Sequence, residues 1–287
     1  MNNMNDYGAE QDQKPPQLFF ETYPQPTNLE YHGTLQATLA ELQAGENLLI
    51  GPTRLARAIL DSPLDGDRRL HLLEGVTAFM QDTYRSGPQD VTALGQELLD
   101  ALGDCAIDQQ EDFASIIASE PERSLEGARQ IAALTDKPIL MLPLCHGGLQ
   151  AGVQALEIYR QLSPQNADDS HLYPIRFSRV KQGHTGIPIT PEEVSFLRQR
   201  AKGRTVIVYD EDSSTGDSVL MAMQDLAQQL DTSEIFGVVN VDMRNAREQG
   251  YVEQQGLHWE HYAELPPPVG SGRETEGLGL AHQSWFS

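Results

Sequence analysis

The sequence predicts an α/β protein, with a parallel sheet in its C-terminal half and a mostly helical lobe before it. Three observations carry that prediction. Short, near-continuous apolar runs at Pro138 to Leu144, Leu172 to Phe177, Thr205 to Tyr209 and Ile235 to Val241 have the character of strands buried on both faces. Apolar-periodic segments lie between them, notably Leu149 to Leu162 and Val219 to Leu230, and such alternation gives a parallel sheet flanked by helices. Before Lys137 the apolar spacing is helical almost throughout.

In chain order, residues 1–30 are polar and rich in Asn, Gln and Pro, and are expected to be a flexible segment or an extended strap through Leu18-Phe19-Phe20. Residues 31–134 form the helical lobe. Leu35, Leu39 and Leu42 make its first stripe, and Leu55, Ile59 and Leu60 its second. Leu70, Leu72, Leu73, Val76 and Phe79 make a third; Val91, Leu94, Leu98, Leu99 and Leu102 make a fourth. Weaker helical segments follow at Phe113 to Ile117 and Leu125 to Leu134, and Asn47 to Ile50 is the one strand-like piece. Thr53, Asp67, Asp90, Asp108 and Ser124 are placed as helix caps, with Pro63, Pro88 and Pro121 in the breaks. The α/β core spans 135–265. Its second strand leads into a long polar loop from Ser178 towards Arg204, with a short helix around Glu192 to Arg200. Residues 266–287 follow Pro266-Pro267-Pro268 as an irregular tail.

Composition narrows the classes. The formal net charge of −22, from 20 Lys+Arg against 42 Asp+Glu, argues against binding to nucleic acid or an anionic membrane. No apolar run is long enough for a membrane span, and the first residues lack the basic and apolar regions of a signal peptide. Cys105 and Cys145 cannot make a disulfide framework, which agrees with a cytoplasmic protein.

The chemistry concentrates around the third apolar run. Val206 to Tyr209 lead into Asp210-Glu211-Asp212, then Ser213-Ser214-Thr215-Gly216-Asp217-Ser218 and a helix. Where a strand gives way to a helix, outward backbone N–H groups and the helix dipole together favour an anion, most often phosphate. Gly216 allows close backbone approach, and Ser213, Ser214, Thr215 and Ser218 add hydroxyl donors. Carboxylates accept hydrogen bonds, so Asp210 and Glu211 suit a sugar diol with Mg²⁺ nearby. A second glycine bend, Cys145-His146-Gly147-Gly148, ends the first strand and suits another anion.

Strand, acid pair and Thr-Gly-x-Ser turn resemble the phosphoribosyl-pyrophosphate (PRPP) motif of type I phosphoribosyltransferases. The Gly147-Gly148 bend lies two β-α steps earlier, where that family carries its pyrophosphate loop. The resemblance covers about residues 135 to 245 and implies a type I phosphoribosyltransferase-like core. It implies transfer of 5-phosphoribosyl from PRPP to an acceptor, nucleobase-like in many relatives, with release of pyrophosphate. Asp210 and Glu211 would hold the 2- and 3-hydroxyls and, through PRPP, Mg²⁺. Residues 213–218 would hold the 5-phosphate, with Ser214 where purine-type relatives carry a proton-accepting Asp. Cys145, His146, Gly147 and Gly148, with Arg179 and Lys181 from the long loop, would meet the pyrophosphate. Trp259, or Tyr262, would stack on the acceptor. A homodimer is also expected.

Three positions depart from the pattern. Asp212 stands where the family has an apolar residue, His146 where it often has Arg or Lys, and Asp217 adds a carboxylate to the phosphate turn. At about 5 Å and an effective dielectric near 20, a carboxylate and a phosphate repel by roughly 3 kcal/mol. Asp217 is therefore expected to face solvent in the helix's first turn. These departures sustain a second expectation, a non-catalytic PRPP- or nucleotide-binding regulatory protein of the same fold. Asp210-x-Asp212 also resembles the first motif of haloacid-dehalogenase-type phosphatases, but no Lys follows Lys202 to supply that family's later motif.

Overall fold

The computed structural model describes residues 30–110, 121–145, 147–177, 187–213 and 217–242. The lobe opens with strand β1 (Glu30–Thr34), followed by helices α1 (Leu35–Gln43), α2 (Gly51–Leu60), α3 (Gly66–Ser86) and α4 (Thr92–Leu102), and strand β2 (Ala106–Gln110). All four apolar stripes are helical, as their spacing predicts. The antiparallel pair β1–β2, running from Glu30↔Gln110 to Thr34↔Ala106, is not in that prediction. Each strand is too short to show a period: Tyr31 is half-buried under the Arg54 guanidinium, 3.6 Å from its ring centre, and Ile107 is buried. Asn47 to Ile50, expected as strand-like, is a turn.

Several caps differ from expectation. Thr34 caps α1 and Asp65 caps α3, leaving Asp67 in that helix's first turn. Thr53 lies inside α2 and donates to the Ile50 carbonyl at 2.7 Å, while Asp108 belongs to β2. Asp90 accepts from the Thr92 N–H at 2.9 Å, as a residue ahead of α4 should. Ser124 sits fully buried within helix α5 (Pro121–Leu134). The weak segment Phe113 to Ile117 lies outside the described residues.

The core then alternates: β3 (Ile139–Cys145), α6 (Gly148–Leu162), β4 (His171–Leu172), β5 (Ile175–Arg176), α7 (Pro191–Ala201), β6 (Thr205–Ser213), α8 (Asp217–Leu230) and β7 (Ile235–Asp242). All seven residues of β3 are buried. The five strands form one sheet in the order β4 and β5, β3, β6, β7, and every pair in it is parallel. Helices α5 and α6 pack together on β3, β6 and β7, while α7 and α8 pack together against the same sheet. The expected strand Leu172 to Phe177 is broken at Pro174, which has no N–H for the ladder. Tyr173 still donates to the Met141 carbonyl at 2.9 Å. Among the described residues no helix is long and apolar enough to cross a membrane.

Lobe and core meet along a charged seam. The Arg85 guanidinium makes a two-point contact with buried Glu157 at 2.6 and 3.0 Å, and Arg160 reaches the same carboxylate at 2.6 Å. Further along α3, Glu74 pairs with Arg200 at 3.3 Å and Arg69 with Glu193 at 3.4 Å. Asp61, at the end of α2, pairs with Arg176 at 2.6 Å.

Candidate functional site at the carboxyl rim of the sheet

Strands β3 and β6 are hydrogen-bonded neighbours, from Ile139↔Thr205 to Pro143↔Tyr209, and they run in the same direction. The two strands therefore end beside each other at the same rim of the sheet. The chain places its second strand on one side of β3 and β6 on the other, so this rim contains the point where strand order reverses. Ligands of open α/β sheets bind in that crevice.

The acid pair sits differently from the sequence reading. It does not follow β6 but lies within it: Asp210 pairs with Val239, and the ladder with β7 continues to Ser213↔Asp242. Successive strand side chains point to opposite faces, so the two carboxylates approach a shared ligand only where β6 meets the rim. Both border the same glycine bend. A Cβ on Gly147 would collide with the Glu211 carboxylate. One on Gly148 would lie 2.8 Å from the Tyr209 carbonyl oxygen and 2.9 Å from Asp210 Oδ1. The glycines at 147 and 148 are thus required by the close approach of the bend to β6, a cause separate from anion binding.

Helix α6 starts at Gly148 with no side-chain cap. Its first N–H groups and positive end lie beside Asp210 and Glu211, which supply negative charge where the dipole favours it. Asp210 is half-buried and Glu211 is only 8% exposed, packed on the bend. Cys145 is buried, and its thiol is pushed well above the usual range by burial, then by the nearby Asp210, Glu211 and Asp61. It is a packed core thiol, and only its backbone is offered to the bend.

Behind the acids lies a buried polar chain. The Tyr209 hydroxyl donates to Asn240 Oδ1, Asn240 Nδ2 donates to Ser124 Oγ at 3.2 Å, and Ser124 donates to Gln154 at 2.8 Å. Burial raises the Tyr209 phenol, which stays protonated as a donor. This chain ties β6 and β7 to α5 and α6 directly beneath the acid pair. Sequence reading missed it, because its four members are separated by up to 116 positions and each alone reads as an ordinary polar residue.

On either side of the second bend, β6 ends at Ser213, α8 starts at Asp217, and Ser218 in its first turn is half-buried. Asp217 thus opens the first turn of α8. His146, Arg179, Lys181, Ser214, Thr215, Gly216, Trp259 and Tyr262 lie outside the described residues. Arg176, in β5, is engaged by Asp61 of the lobe. Among the described residues no three His, Cys, Asp or Glu side chains converge on a metal position.

Rim and sheet together define a mixed α/β protein with a parallel sheet and a candidate small-ligand crevice at its switch point. Compared with protein-family models, curated proteins and solved structures, the chain matches none.

Proposed function

We propose that this chain is a type I phosphoribosyltransferase-like enzyme that transfers 5-phosphoribosyl from PRPP to an acceptor, nucleobase-like in chemistry, and releases pyrophosphate. The observation that supports it most is the adjacency of the ends of the parallel strands β3 and β6, with Asp210 and Glu211 against Gly147 and Gly148. In this reading the bond from ribose C1 to pyrophosphate oxygen breaks and a bond from C1 to the acceptor forms, through an oxocarbenium-like transition state. Asp210 and Glu211 accept hydrogen bonds from the ribose hydroxyls and stabilise the positive charge developing on the sugar. The 213–218 bend holds the 5-phosphate at the start of α8. The backbone at 147–148 and the N-terminus of α6 hold the departing pyrophosphate, whose Mg²⁺ offsets the charge of the acids. A cytoplasmic setting and a homodimer belong to the same proposal.

A second reading has one observation in its favour. Glu211 is packed on the glycine bend, and the acids already lie at the α6 terminus where pyrophosphate charge would fall. That arrangement suits a protein that binds PRPP or a nucleotide without turnover. Pyrophosphate release separates the two. Incubation with Mg²⁺, PRPP and a panel of nucleobases is expected to liberate pyrophosphate with at least one acceptor. Binding of PRPP with no release from any acceptor would leave the regulatory reading standing and remove the enzymatic one.

A further inference from the structure

We propose that residues 257–265 of this chain complete the sheet by adding to the outer edge of β7 as an antiparallel strand. β7 stands last in the sheet order and, among the described residues, pairs only with β6. The Val206 N–H donates to the Glu234 carbonyl at 2.9 Å, and Val206 lies opposite Ile235. In a parallel ladder that phase turns the backbone groups of Phe236, Val238 and Asn240 towards β6. Those of Ile235, Gly237 and Val239 face outward.

This outer edge is not open to water. Ile235 is 1% exposed and Val239 3%, and Gly237 is buried although it has no side chain to shelter its backbone. Among the described residues no group is bonded to their outward N–H and C=O groups. Buried main-chain polar groups are paired almost without exception, so this edge requires a partner. It also lacks the usual protection of an edge strand: Ile235-Phe236-Gly237-Val238-Val239-Asn240-Val241 holds no Pro and no charge. Because the edge is covered within a single chain, the partner is a segment of that chain and not a second copy.

Residues 257–265, outside the described residues, carry the matching pattern. Leu257, Trp259, His261, Ala263 and Leu265 alternate with His258, Glu260, Tyr262 and Glu264. That period of two belongs to a strand with one face on the protein and one in water. Pro266-Pro267-Pro268 has no N–H to continue a ladder, and Glu260 and Glu264 supply charges that guard the new edge. Residues 243–256 give enough chain to turn back from Asp242. A parallel return would need a crossover helix beside β7, where α5 and α8 already pack. The proposal stands or falls without the phosphoribosyl reading.

Amide hydrogen exchange of the full chain, read residue by residue by nuclear magnetic resonance, tests it. In the wild type the Gly237 and Val239 amides are expected to be protected like those of Phe236 and Val238. The double variant Glu260→Pro, His261→Pro removes a ladder donor whichever of the two faces β7. It should speed exchange at Gly237 and Val239 by about tenfold or more and leave Phe236 and Val238 unchanged. Independently of any variant, wild-type cross-strand Overhauser contacts should join 235–241 to 257–265 in antiparallel order. Unprotected Gly237 and Val239 amides, unchanged exchange in the folded variant, or protection without those contacts would each overturn the assignment. Protection that fades on dilution would overturn it in favour of a second copy.

Discussion

The seam and the rim use carboxylates in opposite ways. Along the seam each acid meets an arginine: Glu157 holds Arg85 and Arg160, Glu193 holds Arg69, and Asp61 holds Arg176. At the rim, Asp210 and Glu211 are pressed against the backbone of a glycine bend and the start of a helix. The difference teaches what each region is built for. Paired charges join the lobe to the sheet, whereas the acids laid on backbone and a helix end are where the proposed phosphoribosyl ligand would bind.

The seam is the more costly region to break. Glu157→Gln leaves the largely buried Arg160 guanidinium, and the half-exposed Arg85 beside it, without their shared carboxylate and is expected to destabilise the fold by about 3 kcal/mol. Urea denaturation measures it, and a loss under 1 kcal/mol, of the size of exposed pairs, would mean that the seam behaves as a solvated surface.

The rim yields to a smaller change. Gly148→Ala puts a methyl group 2.8 Å from the Tyr209 carbonyl, where backbone must move, and is expected to cost about 1–3 kcal/mol. A denaturation midpoint equal to wild type would show that the bend is not held against β6.

The smallest effect sharpens the seam. His171 accepts a hydrogen bond from Arg200 at 3.0 Å, and its pKa is lowered to about 4 by burial and by Arg200, Arg204 and Arg160. The folded protein keeps this ring neutral where the unfolded chain would protonate it. Its stabilising contribution is complete above the ordinary value near 6.5, falls as pH drops, and levels off near 4. Because the ring is half-exposed, solvent screening limits the loss to about 1 kcal/mol. His171→Gln should remove this part of the stability slope between those pH values; an unchanged slope would contradict it.

Much of this architecture is legible in the sequence, and the physics explains the remainder. Strands β3, β6 and β7 are sandwiched between helix layers, so burial writes itself as apolar runs, and the lobe helices carry their stripes. The extension of β6 through Asp212 is not legible, because acidic residues disfavour strands and only pairing with β7 overrides that preference. The β1–β2 pair and the break at Pro174 depend on partners far along the chain. For the site, acids and glycines announce themselves, but their mutual contact does not: Gly147 and Glu211 meet only once β3 and β6 pair. The seam was equally hidden, since Arg85 and Glu157 are 72 positions apart.

The central claim is that the rim between β3 and β6 recognises a phosphoribosyl group through its acids. Thermal unfolding of the wild type and of the double variant Asp210→Asn, Glu211→Gln, each with and without PRPP and Mg²⁺, tests it directly. The account predicts that PRPP with Mg²⁺ raises the wild-type Tm, and that the variant unfolds near the wild-type temperature without ligand but loses most of that rise. An equal rise in both proteins, or no rise in the wild type, would contradict it.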